Sequence, residues 1–233
     1  MKIYVAGCST NKFLPLDNIR EKYLVDKTHE GRNIDFLNKW YCELTALFYL
    51  WQNNTDSVVG LEHYRAYFWH NGRPLCESDA TDLLKTSDVI APGYSYPFMG
   101  KPYLRVELDN CVRRTTDTFC NVLRKFNAGL TTHFINYLNG KRLWCCNMFV
   151  APRDIMDKWC KLIFPLLAEF EKVSPLNGSN LRREGYFTEF LFGAWLEYNK
   201  YSIQHVHQLK LNRELTKPWF WCLGPDHQVA YQH

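Results

Sequence analysis

Two strand-like segments on either side of one helical pattern constrain the fold more than any other feature of the sequence. Residues 2–6 and 58–61 are short, largely apolar and rich in β-branched side chains, as buried strands are. Between them an apolar face recurs at helical spacing over residues 37–51, and Asp35 is placed to cap that helix. A strand, a helix and a second strand in this order are typical of a parallel βαβ unit.

The same alternation continues along the chain. Residues 70–74 resemble a polar hairpin, and Pro165 predicts a kink or break in the helix that contains it. Further strands are expected at 88–92, 143–150 and 201–207, and further helices at 116–127, 131–138, 153–172 and 183–198. Without a repeat, a low-complexity tract or a linker, the sequence predicts one α/β domain over residues 1–233.

Composition narrows the class of protein. Of 233 residues, 46% are hydrophobic and 22% charged, as in packed soluble proteins. No tract approaches the roughly 18 apolar residues of a membrane span, and no leader precedes the first strand, so we expect an intracellular protein. Nine cysteines, an odd number without a C-x-x-C pair, indicate reduced thiols and not a disulfide scaffold.

The charge is mildly basic, with a net value of +4 and a pI near 8.5. The basic residues are scattered and form no stripe with interleaved aromatic residues, so we expect no nucleic-acid partner. A weak attraction to an anionic membrane surface is compatible with this charge.

Four polar residues directly follow the apolar run 58–61. They are Glu62, His63, Tyr64 and Arg65. In open α/β sheets, ligands bind beyond the carboxyl ends of strands. The planar fork of Arg65 donates in pairs and suits a diphosphate. The alternative is a strand followed by a solvated turn.

Other residues are candidates for the same kind of site. The polar loop 7–12 after the first strand, with Ser9 and Thr10, is a candidate pocket for a nucleotide base. Asn147 interrupts an apolar run, so it needs hydrogen-bond partners from the protein or from a ligand. Glu43 can contact sugar hydroxyls or orient an arginine, or it can be a surface residue beside Lys39.

Glu189 is the candidate for proton transfer. Phe187 and Phe190 flank it, and apolar neighbours raise the pKa of a carboxyl group, as a general base requires. The alternative is a solvated residue or an ion pair with Arg182 or Arg183.

Five blocks of sequence carry a resemblance to a known family. They cover residues 40–53, 59–68, 88–92, 147–150 and 183–191. In this order they resemble the DUF4422 family, bacterial glycosyltransferase-like proteins of capsule and O-antigen gene clusters. The chain departs from the family pattern at Ala66, where a second arginine is usual, at Glu62, where a small residue is common, and in the N-terminal loop.

The resemblance implies a GT-A-like (Rossmann-like) fold with a mostly parallel central sheet flanked by helices. It implies transfer of a hexose, with galactofuranose as one candidate, from a UDP-sugar to a lipid-linked or free saccharide acceptor. The expected enzyme is cytoplasmic, with peripheral association at the inner membrane face, and acts in capsule or O-antigen synthesis.

The resemblance also implies roles for individual residues. Glu189 would be the base of an inverting transfer; the donor diphosphate and sugar would be bound by Glu43, Glu62, His63, Tyr64 and Arg65. Ser9 and Thr10 would bind the nucleotide, and Asn147 and Arg183 would contact donor or acceptor.

Metal dependence stays open at this point. Where many GT-A enzymes carry Asp-x-Asp, this chain has Glu62, His63, Tyr64 and Arg65. Glu62 and His207 are weak candidates for ligands of Mn²⁺ or Mg²⁺, and fixed positive charge can replace some or all of the metal's role.

Three alternatives remain. A retaining transferase would need no base. A non-catalytic module would bind a sugar or nucleotide sugar without turnover. A thiol or metal hydrolase would use Cys145 or Cys146 with a histidine.

Overall fold

The computed structural model describes residues 1–94, 110–140, 144, 146–211 and 218–221, and the side chains of these except at 110–113 and 218–221. Nine strands in these residues form one sheet: β1 Lys2–Gly7, β2 Arg20–Leu24, β3 Val58–His63, β4 Ala66–His70, β5 Arg73–Pro74, β6 Val89–Pro92, β7 Phe149–Pro152, β8 Ile203–Leu211 and β9 Pro218–Trp221. Seven α-helices accompany it: α1 Asn38–Tyr41, α2 Leu44–Asn53, α3 Glu77–Leu83, α4 Asn110–Phe126, α5 Ala128–Leu138, α6 Arg153–Val173 and α7 Arg183–Tyr198.

The sheet is mixed, so the expectation of a mostly parallel sheet was wrong. Its order is β2-β1-β3-β7-β6-β8-β4-β5, with β9 beside β8 and a further pairing of β3 with β4. Among the described strands, three pairings are parallel (β1–β2, β1–β3, β6–β8) and six are antiparallel. Three of the antiparallel pairings (β3–β7, β4–β8 and β6–β7) join segments that are distant in the chain. Two more (β3–β4 and β4–β5) are tight hairpins, which reverse the chain within the sheet. Tyr64 and Arg65 make one such turn, and Asn71 and Gly72, both at positive φ, make the predicted second.

The predicted βαβ unit is present, because β1 lies parallel to β3. Its helix is divided, however. Cys42 has φ 52° and ψ −129°, which ends α1 and starts a new helix two residues later. Asp35 does not cap the helix; it precedes α1 in a short 3-10 turn and accepts hydrogen bonds from Tyr23 and from the His29 backbone. The break at Cys42 places Glu43 at the start of α2.

Most of the aromatic side chains that the structure describes pack in or against the core, as predicted. The larger core cluster joins β1 and β3 to α2 and α4–α7, and the rings of Phe119 and Phe187 stack within it, 4.2 Å apart. Helix α6 is continuous from Arg153 to Val173 through Pro165, so the helix does not break there. No helix in the described residues has the length and apolar character needed to cross a membrane.

Candidate functional site

A cleft with two adjoining lobes opens beside the turn between β3 and β4. The inner lobe has a volume of about 350 Å³ and the outer lobe about 290 Å³. Both lobes are lined by Glu43, His63, Arg65 and Arg182. The inner lobe is completed by Ala66, Gly93, Cys146, Met148, Glu189, Gln208, Lys210 and Leu211, and the outer lobe by Ala6, Gly7, Cys8, Asn11, Val25, Asn38, Lys39, Cys42 and Tyr64.

Three cations line the inner lobe and come from three different parts of the fold, while Lys39 lines the outer lobe. Arg65 lies in the two-residue turn between β3 and β4, is exposed, and has its guanidinium 5.9 Å from the ring centre of Tyr64. Arg182 immediately precedes α7, and Lys210 lies on β8. The described part of the chain gives none of these three a salt bridge at 4 Å or less, so no carboxylate at that distance neutralises their charge.

Two carboxyl groups face these cations. The Glu43 carboxylate accepts a hydrogen bond from Asn147 Nδ2 at 2.8 Å, and the same nitrogen lies 3.2 Å from the Thr188 hydroxyl. Burial raises the pKa of Glu189 well above its usual range, and the neighbouring Glu43 carboxylate raises it further, while Arg182 and Arg65 act in the opposite direction. Glu189 therefore holds its proton more tightly than an ordinary glutamate does.

His63 ends β3 and lines both lobes. Burial lowers its pKa; Glu43 opposes that shift, and Arg65, Arg182 and Lys210 add to it. The side chain is therefore a neutral imidazole near neutral pH. Its Nε2 atom is buried and has no hydrogen-bond partner in the described residues. A buried nitrogen without a partner is unusual in a folded protein, and a water or ligand atom beside it would supply the missing hydrogen bond.

The family model DUF4422, described as a domain of unknown function, matches residues 6–200. The chain belongs to the DUF4422 family. The resemblance found in the sequence is thereby confirmed. No curated protein matches this chain.

The fold of this DUF4422 protein is similar to one solved structure, the apo structure of the bifunctional glycosyltransferase WbbM. The TM-score is 0.75 at 19% sequence identity, and the match covers 94% of this chain and 46% of WbbM. The chain thus spans less than half the length of that protein. The similarity establishes a mixed α/β fold shared with a glycosyltransferase structure.

Five of the residues predicted for the site line the cleft together: Glu43, His63, Tyr64, Arg65 and Glu189. Asn147 lies directly behind Glu43 and is buried, with its side-chain oxygen unpartnered within the described residues. It positions Glu43 and does not line either lobe.

Glu62 is not part of the cleft, which corrects its expected place at the donor. Its side chain is 0% exposed and accepts hydrogen bonds from Arg20 Nε at 2.7 Å and Arg20 Nη2 at 2.9 Å. It also accepts from the Phe68 amide at 2.9 Å. Successive side chains of a strand point to opposite faces, so Glu62 and His63 cannot face the same cavity.

Arg183 also lies outside both lobes. It is 1% exposed; its Nε donates to Glu184 at 2.8 Å and its Nη1 donates to the Ser174 hydroxyl at 2.6 Å. These bonds hold the start of α7 against the loop before it. The preceding residue, Arg182, is the arginine that faces the cleft.

Three further expected residues are absent from the walls of the cleft. The hydroxyl of Ser9 donates to Asp26 at 2.5 Å, and Thr10 is exposed; Cys8 and Asn11 of the same loop line the outer lobe instead. His207 is exposed on β8, next to Gln208, which faces the inner lobe.

A divalent cation does not fit the residues of this cleft. Neither Glu62 nor His207 lines it, and the described chain holds no group of three or more His, Cys, Asp or Glu side chains able to bind a metal. Glu43 and Glu189 are the acids of the inner lobe, and three cations surround them. Hard cations bind clusters of oxygen ligands, which this set does not supply.

Arg182 and Lys210 line the inner lobe and were not predicted as site residues from the sequence. Arg182 was considered only as an ion-pair partner of Glu189. Arg182 and Arg183 stand side by side at the start of α7, and no periodicity signal separates them. Lys210 lies beyond residue 207, where the predicted last strand ended, and β8 extends to Leu211.

Proposed function

We propose that this DUF4422 protein is a glycosyltransferase that moves a hexose from a UDP-sugar to a saccharide acceptor. The observation that carries the proposal is the position of Arg65. Its guanidinium stands at the junction of two lobes, opposite a carboxyl group of raised pKa, and the described chain gives it no salt bridge. Such an unpaired fork suits the diphosphate of a nucleotide sugar.

The two lobes divide the donor between them in this proposal. The outer lobe, beside the loop after β1, takes the nucleoside, and Tyr64 forms part of its wall. The diphosphate lies at the junction, where Arg65 and His63 both line the cavity. The hexose then lies in the inner lobe, where Glu189 is within the same cavity as the reacting carbon.

The proposed reaction is a single displacement with inversion. The acceptor hydroxyl gives its proton to the Glu189 carboxylate and attacks the anomeric carbon, while the bond from that carbon to the diphosphate oxygen breaks. A raised pKa makes the ionised Glu189 a stronger base. Fixed cations stabilise the negative charge that develops on the leaving diphosphate, in the role a metal ion has in other enzymes.

The identity of the substrates and the cellular setting are part of the same proposal. UDP as the nucleotide, galactofuranose as one candidate hexose, and a lipid-linked acceptor in capsule or O-antigen synthesis are supported by the resemblance to the family. The fold shared with the bifunctional glycosyltransferase WbbM supports the class of reaction. A cytoplasmic enzyme with peripheral membrane association is consistent with the mild positive charge.

The test is turnover of a panel of UDP-hexoses, measured as release of UDP with and without saccharide acceptors. A transferase releases UDP, slowly by donor hydrolysis alone and faster with the right acceptor. A binding module shifts the melting temperature with a UDP-sugar and releases none. The cation mechanism predicts activity in the presence of a chelator; loss with chelator, return with Mn²⁺ and a near-normal Arg65→Ala variant would contradict it.

A further inference from the structure

We propose that Arg182 is a second diphosphate-binding residue, which acts with Arg65 at the junction of the two lobes. The inference rests on the proposed function and deepens it. Arg65 comes from the turn between two strands, and Arg182 comes from the segment before α7. Both side chains line both lobes, so their shared position is the junction between nucleoside and sugar.

The backbone of Arg182 is held in an unusual conformation. Its φ is 63°, in the left-handed region that an arginine rarely adopts and a glycine adopts easily. Its amide donates to the Lys39 carbonyl at 2.9 Å, and its guanidinium lies 5.2 Å from the ring centre of Tyr186. Glycine would adopt this backbone conformation with less strain than arginine does. We therefore infer that the side chain of Arg182 makes an interaction that offsets this strain.

The charge of the inner lobe supports the same assignment. Arg65, Arg182 and Lys210 contribute three positive charges, and Glu43 and Glu189 contribute at most two negative charges. The lobe therefore keeps a positive surplus even when both acids are ionised, and this surplus favours an anionic group such as a diphosphate. The N-terminal end of α7 adds its favourable dipole beside Arg182.

Calorimetric titration with UDP, and NMR titration with uridine, test the inference on Arg182→Gly. Glycine keeps the left-handed backbone and removes only the side chain. The matched control is Lys200→Gly, because Lys200 is also a cation at positive φ (60°), beyond the other end of α7 and outside both lobes. Arg182→Lys, which keeps the charge and loses the fork, completes the set.

We expect Arg182→Gly to weaken UDP binding by roughly 10- to 100-fold, the range for a charge-assisted hydrogen bond to phosphate, and to leave uridine binding unchanged. Arg182→Lys should fall between it and the wild type, and Lys200→Gly should match the wild type. Equal UDP affinity in Arg182→Gly and the wild type, or an equal loss for UDP and uridine, overturns the inference and leaves the proposed function standing. Failure of the wild type to bind UDP overturns both.

Discussion

Two groups of arginine and glutamate side chains lie near the end of β3, and they differ in their interaction partners. In the closed pair, Arg20 and Glu62 satisfy each other through two hydrogen bonds and are both buried. In the open group, Arg65 and Arg182 face Glu43 and Glu189 across a cavity that a ligand can enter.

The difference shows how one strand can serve stability and binding at once. Glu62 and Arg65 are three residues apart, yet the first points into the protein and the second into the cleft. The closed pair also binds the backbone of its surroundings, since Arg20 donates to the Leu75 carbonyl and Glu62 accepts from the Phe68 amide. It fixes the strands that present the open group.

The largest effect on activity is expected from Glu189→Gln. Glutamine fills the same space but cannot accept the proton of the acceptor hydroxyl, so transfer should fall by about 10²- to 10⁴-fold. Steady-state transfer to the acceptor measures this, with Glu169→Gln on the exposed side of α6 as the control that should keep full activity. Retained transfer in Glu189→Gln, together with a retained anomeric configuration in the product, would instead support a retaining mechanism.

The closed pair predicts the largest effect on stability. Glu62→Gln removes one of the two carboxylates that neutralise the buried Arg20 guanidinium and leaves only Asp17, so the free energy of unfolding should fall by up to about 3–5 kcal/mol. Urea denaturation measures this change. Glu21→Gln removes a surface ion pair with Lys2 on the adjacent strands and should cost no more than about 1 kcal/mol. If both variants lose no more than about 1 kcal/mol in free energy of unfolding, the closed pair stabilises the protein no more than a surface ion pair does.

A smaller effect is expected on the pH dependence of transfer. Glu189 must be ionised to act as a base, so the rate should rise with pH through its raised pKa. Glu43→Gln removes a negative neighbour that raises this pKa, and the acidic limb of the kcat/KM profile should therefore move to lower pH. Glu169→Gln, remote from the cleft, should leave the limb in place. An unmoved limb in Glu43→Gln would exclude Glu189 as the titrating base.

Much of the fold follows from periodicity. Helices α6 and α7, the strand β6 and the hairpin at residues 70–74 all lie where the sequence predicts them, because each has a strong local pattern. Strand β2 was missed because residues 20–24 are three charged residues followed by two apolar ones, without the alternation that marks a half-buried strand. The mixed sheet was missed because strand pairing depends on contacts between distant segments.

Some residues of the candidate site could likewise be predicted from local sequence, and others could not. His63, Tyr64 and Arg65 could be predicted because they follow a predicted strand, and ligands bind beyond the carboxyl ends of strands in α/β sheets. It also suggested Glu62, whose partner Arg20 lies 42 residues upstream and cannot be paired with it from local sequence. The sequence does not show which of the adjacent residues Arg182 and Arg183 faces the cavity. That depends on the backbone at Arg182, which has a positive φ.

The most direct test of the central claim is the affinity for UDP of the wild type and of Arg65→Ala, measured by calorimetry in excess chelator. The account predicts that the wild type binds UDP without added metal. It also predicts that Arg65→Ala binds roughly 10- to 100-fold more weakly at an unchanged melting temperature. Equal affinity of the two proteins, or binding by the wild type only after Mn²⁺ is added, would contradict it.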